Sequence, residues 1–234
     1  EFAIVRRHLG YLALTALMGM TLCNTLVYVA AASSNAMNLT LIAISAPVFT
    51  VVFARLFLRD ALTVPRIVGL VTASIGVVVL ITNGQASRLL HVTFTEGDLW
   101  MLGQAASFAL YSILVRMKHE ELRPLTFLCS LFVLGIASLL PCFAWELSAV
   151  KAFDFSAKTV GAVLYLGVGP SLLAYMCWNE SVAIIGPTRA AFVYYCLPLF
   201  GGGEALLLLG EPINAVHVIS GTLILSGVVF ATRQ

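Results

Sequence analysis

Eight apolar segments, each about as long as a bilayer core is thick, constrain this chain more than any single motif. They run over Leu9–Ala31, Asn35–Leu58, Val64–Thr82, Leu99–Met117, Pro124–Trp145, Thr159–Val182, Thr188–Gly210 and Ala215–Thr232. A helix needs about 20 apolar residues to cross the hydrocarbon, and each segment meets that length. The joining loops are short, apart from Asn83–Asp98 and Glu146–Lys158. Only 10% of the residues are charged and 60% are hydrophobic, against about 25% charged in a soluble domain. With a mean hydropathy of +1.00, the chain has too little polar surface to cover itself in water. The expected fold is an all-α, polytopic membrane protein with the lipid bilayer as its first partner. Gly, Ser and Thr recur through the spans, as they do where helices pack closely in lipid.

The segment LPLFGGGEALLLLGEP, Leu197 to Pro212, gathers a proline, three glycines and a glutamate inside one of the most apolar stretches. Its pattern is repeated, without gaps, by Ala46–Ala61 at an offset of 151 residues, the separation of Pro47 from Pro198. Phe49 then meets Phe200, Ala54 meets Ala205, Leu56 and Leu58 meet Leu207 and Leu209, and Asp60 meets Glu211. Farther out, Gly10 meets Gly161 and Gly76 meets Gly227. Matched proline, glycine and acid positions mark an internal duplication.

The offset lays the first three spans over the last three and leaves the fourth and fifth without counterparts. Each repeat is therefore expected to hold five helices, with two more helices ahead of Glu1. Residues 1–83 would be the last three helices of the first repeat, and residues 97–234 the whole second repeat. An odd number of helices per repeat inserts the two copies upside down relative to each other. The distribution of basic residues agrees. With Arg6 and Arg7 in the cytoplasm, Arg55, Arg59, Arg66, Arg116, Lys118, Arg123, Arg189 and Arg233 fall on the same side, and only Arg88, Lys151 and Lys158 fall outside. Cytoplasmic loops carry such an excess of Lys and Arg, so the C-terminus is expected in the cytoplasm, and the bacterial inner membrane is the expected location.

Two inverted five-helix repeats, each with a P-x-F…L-[GR]-[DE] stretch and a Gly-rich last helix, resemble the drug/metabolite transporter superfamily and its EamA-type members. WNESVAIIGPTRAAF (Trp178–Phe192), followed by LPLF and LLLGEP, is similar to that family's second-repeat pattern. The resemblance covers essentially the whole chain and implies a ten-helix carrier of small metabolites. In style it is nearest to bacterial exporters of aromatic amino acids. In one respect the chain departs from the family. Many members carry an acid just before the helix proline, where this sequence has Ala46 and Leu197, which puts proton coupling through such an acid in doubt.

Repeat transporters bind substrate near the midplane, between the halves. The candidates are polar and aromatic residues at helical spacing, deep within their spans. On the sixth span, Ser171, Tyr175, Trp178 and Asn179 form one stripe; at the offset, Asn24 and Tyr28 of the first span stand opposite Tyr175 and Asn179 in swapped order. The fourth span adds Trp100, Gln104, Ser107 and Tyr111, and the seventh adds Tyr194 and Tyr195. An amide in lipid is costly unless hydrogen-bonded, so these groups should point inward, either to line a cavity or to bond between helices. No Lys or Arg lies at midspan, whereas phosphate-bearing substrates need fixed cations. A neutral or zwitterionic small-molecule substrate is expected, most plausibly an amino acid, exported by alternating access.

Pro47 and Pro198 are candidate hinges because proline cannot donate to the carbonyl four residues back. Gly201, Gly202 and Gly203 read either as a flexing point or as a place where another backbone approaches closely. Glu204 reads as an outer-gate carboxyl or as a group reaching interfacial water.

Other functions find little support. His8, His91, His119 and His217 lie in loops or at span ends without metal-ligand spacing, so no metal or cofactor is expected. Asp60, Asp98 and Asp154 are also at boundaries, and the serine of GVGPS has no evident base, which weighs against an intramembrane enzyme. Cys23, Cys129, Cys142, Cys177 and Cys196 lie in apolar runs without a C-x-x-C pair and read as reduced packing residues. The basic residues are dispersed, so no nucleic-acid partner is expected. A monomer or a homodimer fits equally.

Overall fold

The computed structural model describes residues 1–85, 87–90, 93–149, 156–209 and 214–232. Its described elements are helices. Eight helical runs are long and apolar enough to cross a membrane: Leu9–Ser33, Ala36–Phe57, Val64–Ile81, Glu96–Arg116, Pro124–Glu146, Ala157–Ile185, Pro187–Leu208 and Ala215–Thr232. A short helix, Phe2–Arg7, precedes the first. Lys151, Asp154, Glu211, His91 and Arg233 lie outside the described residues.

The fourth and sixth helices start ahead of the apolar runs, and polar caps mark where several of the spans begin. The Asn35 side chain accepts from the Asn38 N–H at 2.9 Å to open the second span, and the Ser156 hydroxyl accepts from the Thr159 N–H at 3.2 Å to open the sixth. Asn214 does the same for the Val216 N–H at 3.0 Å at the head of the eighth. Before the fourth span, the Asp98 carboxylate accepts from the Thr95 N–H at 2.8 Å, one half of a capping box. Such caps satisfy donors that a helix terminus leaves unpaired.

The third and eighth spans, which the 151-residue offset makes counterparts, pack directly on each other through small residues. A Cβ at Gly69 would lie 2.4 Å from the Gly227 carbonyl oxygen, so only glycine lets the backbones come this close. A Cβ on Gly76 would meet Ile224, and one on Gly227 would meet Ala73. The offset converts each of these two contacts into the other. That is what a two-fold axis passing between paired helices requires.

Two hydrogen bonds lie on the same axis. Asn24 Nδ2 donates to Tyr175 Oη at 3.1 Å and Tyr195 Oη donates to the Ile44 carbonyl at 3.2 Å, and each pair is 151 residues apart. The fourth span is the most enclosed of the eight, wedged against the first and second. Apolar side chains such as Leu14, Val29, Val133, Phe200 and Leu207 are exposed on the outside, as a lipid-facing surface demands.

One end of the bundle collects most of the basic residues. There Arg123 pairs with Glu1 at 3.1 Å and Arg7 with Glu121 at 3.6 Å. His8 stacks on His119 with ring centres 4.1 Å apart, Asp60 pairs with Arg66 at 3.5 Å, and the Thr188 hydroxyl donates to Asp60 at 3.0 Å. The opposite end is closed by a buried polar knot. Asp98 accepts from the Ser34 hydroxyl at 2.5 Å and from Asn38 Nδ2 at 2.9 Å, and Asn38 Nδ2 also donates to the Thr93 carbonyl at 2.9 Å. Asp98 and Asn38 are both buried. Asp98 thus ties the first–second turn to the head of the fourth span.

Candidate substrate site

The first and sixth spans are counterparts, and each changes pitch at the same place. The first contains a π-helical segment at Leu17–Leu22, and the sixth contains one at Gly167–Leu173 with Pro170 inside it. The offset carries one segment onto the other. Pro170 has no N–H to offer. In the first span, Asn24 Nδ2 donates to the Met20 carbonyl at 2.9 Å and to that of Gly19 at 3.4 Å. A wide turn frees backbone carbonyls for outside donors, and π-bulges recur at functional sites. Here the Gly19 carbonyl accepts from Tyr175 Oη at 2.7 Å.

Around that point the sequence-derived candidates converge in part. Tyr111 of the fourth span is fully buried and donates to Asn179 Oδ1 of the sixth at 2.5 Å. Trp178 Nε1 donates to the Ser112 hydroxyl at 3.2 Å, and Gln104 Nε2 reaches Cys23 Sγ at 3.2 Å. The rings form one contiguous cluster. Tyr111 meets Tyr175 edge-on at 5.8 Å, Phe108 lies 4.8 Å from Trp178 and 5.7 Å from Tyr194, and Trp178 meets Tyr194 edge-on at 6.5 Å. Phe132 of the fifth span touches Tyr175 at 6.1 Å. Asn179 Nδ2 is buried there without a hydrogen-bond partner among the described residues.

Other candidates are placed elsewhere. Ser107 is buried in the fourth span. Tyr28 is 72% exposed and Trp100 41% exposed, both outside the ring cluster. Tyr195 is buried beside the third span, where its hydroxyl shares a 2.9 Å hydrogen bond with Ser74. Phe108 and Phe132 are not among the candidates the sequence offers, being apolar rings in apolar spans. Phe108 lies four residues after Gln104 and three before Tyr111, so helical spacing alone could have placed it on their face.

The second and seventh spans each break three residues before a proline, at Ile44 and at Tyr195–Cys196. Pro47 is buried. The interrupted seventh span contributes Tyr194, Tyr195 and Pro198 to a cavity of about 320 Å³, shared with Thr40, Ile44 and Met101. The described residues lining it include no charged side chain. A second cavity, of about 290 Å³, lies toward the basic end and includes Asn179, Glu180 and Lys118. Tyr194 of the ring cluster lines the first, and Asn179, bonded to Tyr111 of that cluster, lines the second.

Gly201, Gly202 and Gly203 do not serve as a close-packing surface among the described residues: a Cβ on any of them would meet nothing within 4 Å. The helix turns π-helical just beyond them, at Ala205–Leu209. Glu204 is exposed. Among the described residues no group of three His, Cys, Asp or Glu side chains is placed to hold a metal.

Comparison with known proteins gives this architecture a family. The profile of the EamA-like transporter family matches residues 2–82 and 95–233. The uncharacterized transporter YyaM of Bacillus subtilis is 26% identical over 209 residues, covering 89% of this chain and 68% of its own. A probable terminal-alkyne amino-acid exporter of Streptantibioticus cattleyicolor is 25% identical over 231 residues, covering 97% of this chain and 74% of its own. A solved crystal structure superposes with a TM-score of 0.75 over 95% of this chain and 76% of that one, at 18% identity, which speaks to the fold. This is an integral membrane protein, and the chain belongs to the EamA-like transporter family.

Proposed function

We propose that the protein exports a small neutral or zwitterionic metabolite, an amino acid with a bulky apolar or aromatic side chain, by alternating access between its inverted halves. The observation that carries this reading is the buried, unpaired amide nitrogen of Asn179, whose oxygen is held by Tyr111 of the ring cluster and which lines the cavity of about 290 Å³. That nitrogen is a donor suited to a carboxylate, and an unsatisfied buried donor calls for a partner. The rings supply apolar area and offset stacking, worth about 0.5–1.5 kcal/mol per pair beyond burial. A cavity of about 320 Å³ falls at the lower end of the range for small-molecule sites.

We read the two cavities, each touching the ring cluster or its partner Asn179, as the two directions of access. The breaks at Ile44 and Tyr195 supply points where the second and seventh spans can bend. The name of the Streptantibioticus relative, an amino-acid exporter, supports the substrate class. The described lining of the 320 Å³ cavity carries no acid, Glu180 lines the other cavity toward the basic end, and no acid immediately precedes Pro47 or Pro198; on these grounds we read transport as passive or weakly coupled. We place the basic end in the cytoplasm of a bacterial plasma membrane, following the excess of Lys and Arg.

The test is flux of tryptophan, phenylalanine, threonine and a sugar phosphate in proteoliposomes, with and without a pH gradient. Wild type is compared with Tyr195→Ala, Gln104→Ala and Asn179→Ala. Tryptophan or phenylalanine should move fastest, and Asn179→Ala should lower flux most. A sugar phosphate as the best substrate, or unchanged flux in all three variants, overturns the reading.

A further inference from the structure

At the basic end a third cavity, of about 460 Å³, opens between the second–third loop, the end of the fourth span and the sixth–seventh turn. Its walls bring together three guanidinium groups, Arg66, Arg116 and Arg189, and one carboxylate, Asp60. Asp60 is already engaged by Arg66 at 3.5 Å and by the Thr188 hydroxyl at 3.0 Å. Arg116 Nη1 donates to the Ala183 carbonyl at 2.5 Å and Arg66 Nη1 to the Ala61 carbonyl at 2.6 Å, which leaves both forks with donors to spare. Arg189 is half-buried, and no described residue pairs with it. A cation withdrawn from water without an anion is costly, and Arg189 lacks a negative partner among the described residues.

Depth and surroundings identify that partner's class. Arg66 is the third residue of its span, Arg116 the last and Arg189 the third. All three therefore lie at the boundary level, where headgroups sit. Beside them Met117 and Ile185 line the same cavity and are 48% and 41% exposed, offering an apolar seat next to the charge. A free inorganic anion would use the arginines alone, whereas a phospholipid would use both surfaces. We propose that this cavity binds the phosphate headgroup of an anionic phospholipid, with Arg189 and Arg116 as its forks. Guanidinium matches phosphate geometry bidentately, and basic pockets between spans are suited to such headgroups.

The experiment reads lipid binding and does not depend on what the protein transports. Protein purified in mild detergent is offered phosphatidylglycerol, phosphatidylcholine or inorganic phosphate. Retained adducts are counted by native mass spectrometry, and the thermal midpoint is followed in parallel. Wild type should retain phosphatidylglycerol over phosphatidylcholine and gain stability from it. Arg189→Gln and Arg116→Gln should each lower retention about fivefold, the equivalent of about 1 kcal/mol per basic group at a membrane surface. Arg88→Gln, at the opposite end, should leave it unchanged. Equal retention of the two lipids by wild type overturns the proposal without any variant needing to fold. So does full retention by Arg189→Gln, or stabilisation by inorganic phosphate that matches the lipid's.

Discussion

Gly19→Ala tests the packing at the heart of the ring cluster. A Cβ at position 19 would stand 2.2 Å from Tyr111 Cδ2 and 2.6 Å from both Cε2 and Cγ. Carbon atoms in contact sit about 3.5–4.0 Å apart, so the ring would have to retreat by roughly 1.3–1.8 Å. It has little room to do so, because Tyr111 is fully buried and its hydroxyl is held by Asn179 at 2.5 Å. Retreat over that distance stretches the hydrogen bond past useful length and forfeits about 1 kcal/mol. Overpacking adds about 1–3 kcal/mol, and the better helix propensity of alanine returns about 1 kcal/mol. The net loss is then about 1–3 kcal/mol. At about 2–4 °C per kcal/mol for a chain of this size, the thermal midpoint should fall by roughly 2–12 °C. The assay is tryptophan fluorescence during thermal unfolding in detergent, with Gly10→Ala and Gly161→Ala as controls, since a Cβ at either meets nothing within 4 Å. A Gly19→Ala midpoint that tracks the controls would refute the reasoning.

Further outcomes follow from the same geometry. Gly201→Ala and Gly202→Ala should keep or slightly raise the thermal midpoint, because a Cβ at each points into open space, yet should slow proteoliposome flux if this segment bends during transport; unchanged flux removes the glycines from the hinge. Asp98→Ala strands the Thr95 N–H and the Ser34 and Asn38 donors and should destabilise by about 2–3 kcal/mol, measured by thermal unfolding, with no dependence on substrate. Gly69→Ala pushes against the Gly227 carbonyl at 2.4 Å, a backbone atom that cannot rotate away, and should cost at least as much as Gly19→Ala in the same assay. Single cysteines at Lys118 and Lys158 should label oppositely with an impermeant reagent in intact cells, Lys158→Cys reacting and Lys118→Cys not; the reverse pattern inverts the orientation.

The spans were legible because the length of an apolar run is a physical requirement of the bilayer, and the ends that departed were those where a polar cap such as Thr95 or Ser156 lies outside the run. The repeat was legible from matched prolines and glycines. Residues at the offset prove to be spatial neighbours where the axis passes, as Asn24 and Tyr175 are. Helical spacing could say which candidates share a face of one helix but not what covers that face. Tyr28 follows Asn24 by one turn and both are exposed, yet Asn24 bonds across the axis while Tyr28 lies outside the ring cluster. Likewise a glycine's identity does not reveal its neighbour. The Gly201–Gly203 run read either as a flexing point or as a close approach, and the close approaches are instead at Gly19, Gly69, Gly76, Gly97, Gly135 and Gly227. Phe108 escaped notice because an apolar ring in an apolar span carries no contrast.

The hydrogen bonds that join offset-related residues bear on how such a molecule can have arisen. On the axis of a dimer of identical halves, every residue confronts its own copy, so an amide would face an amide and a tyrosine a tyrosine. Here Asn24 confronts Tyr175 and the Ile44 carbonyl confronts the Tyr195 hydroxyl, while the small Ala73 and the large Ile224 share one buried cluster. The side-chain pairings, Asn24 with Tyr175 and Ala73 with Ile224, are not open to two copies of one gene product. Joining the halves in a single chain frees the axial positions to diverge from their twins, and it is at those positions that this protein has ceased to be symmetric.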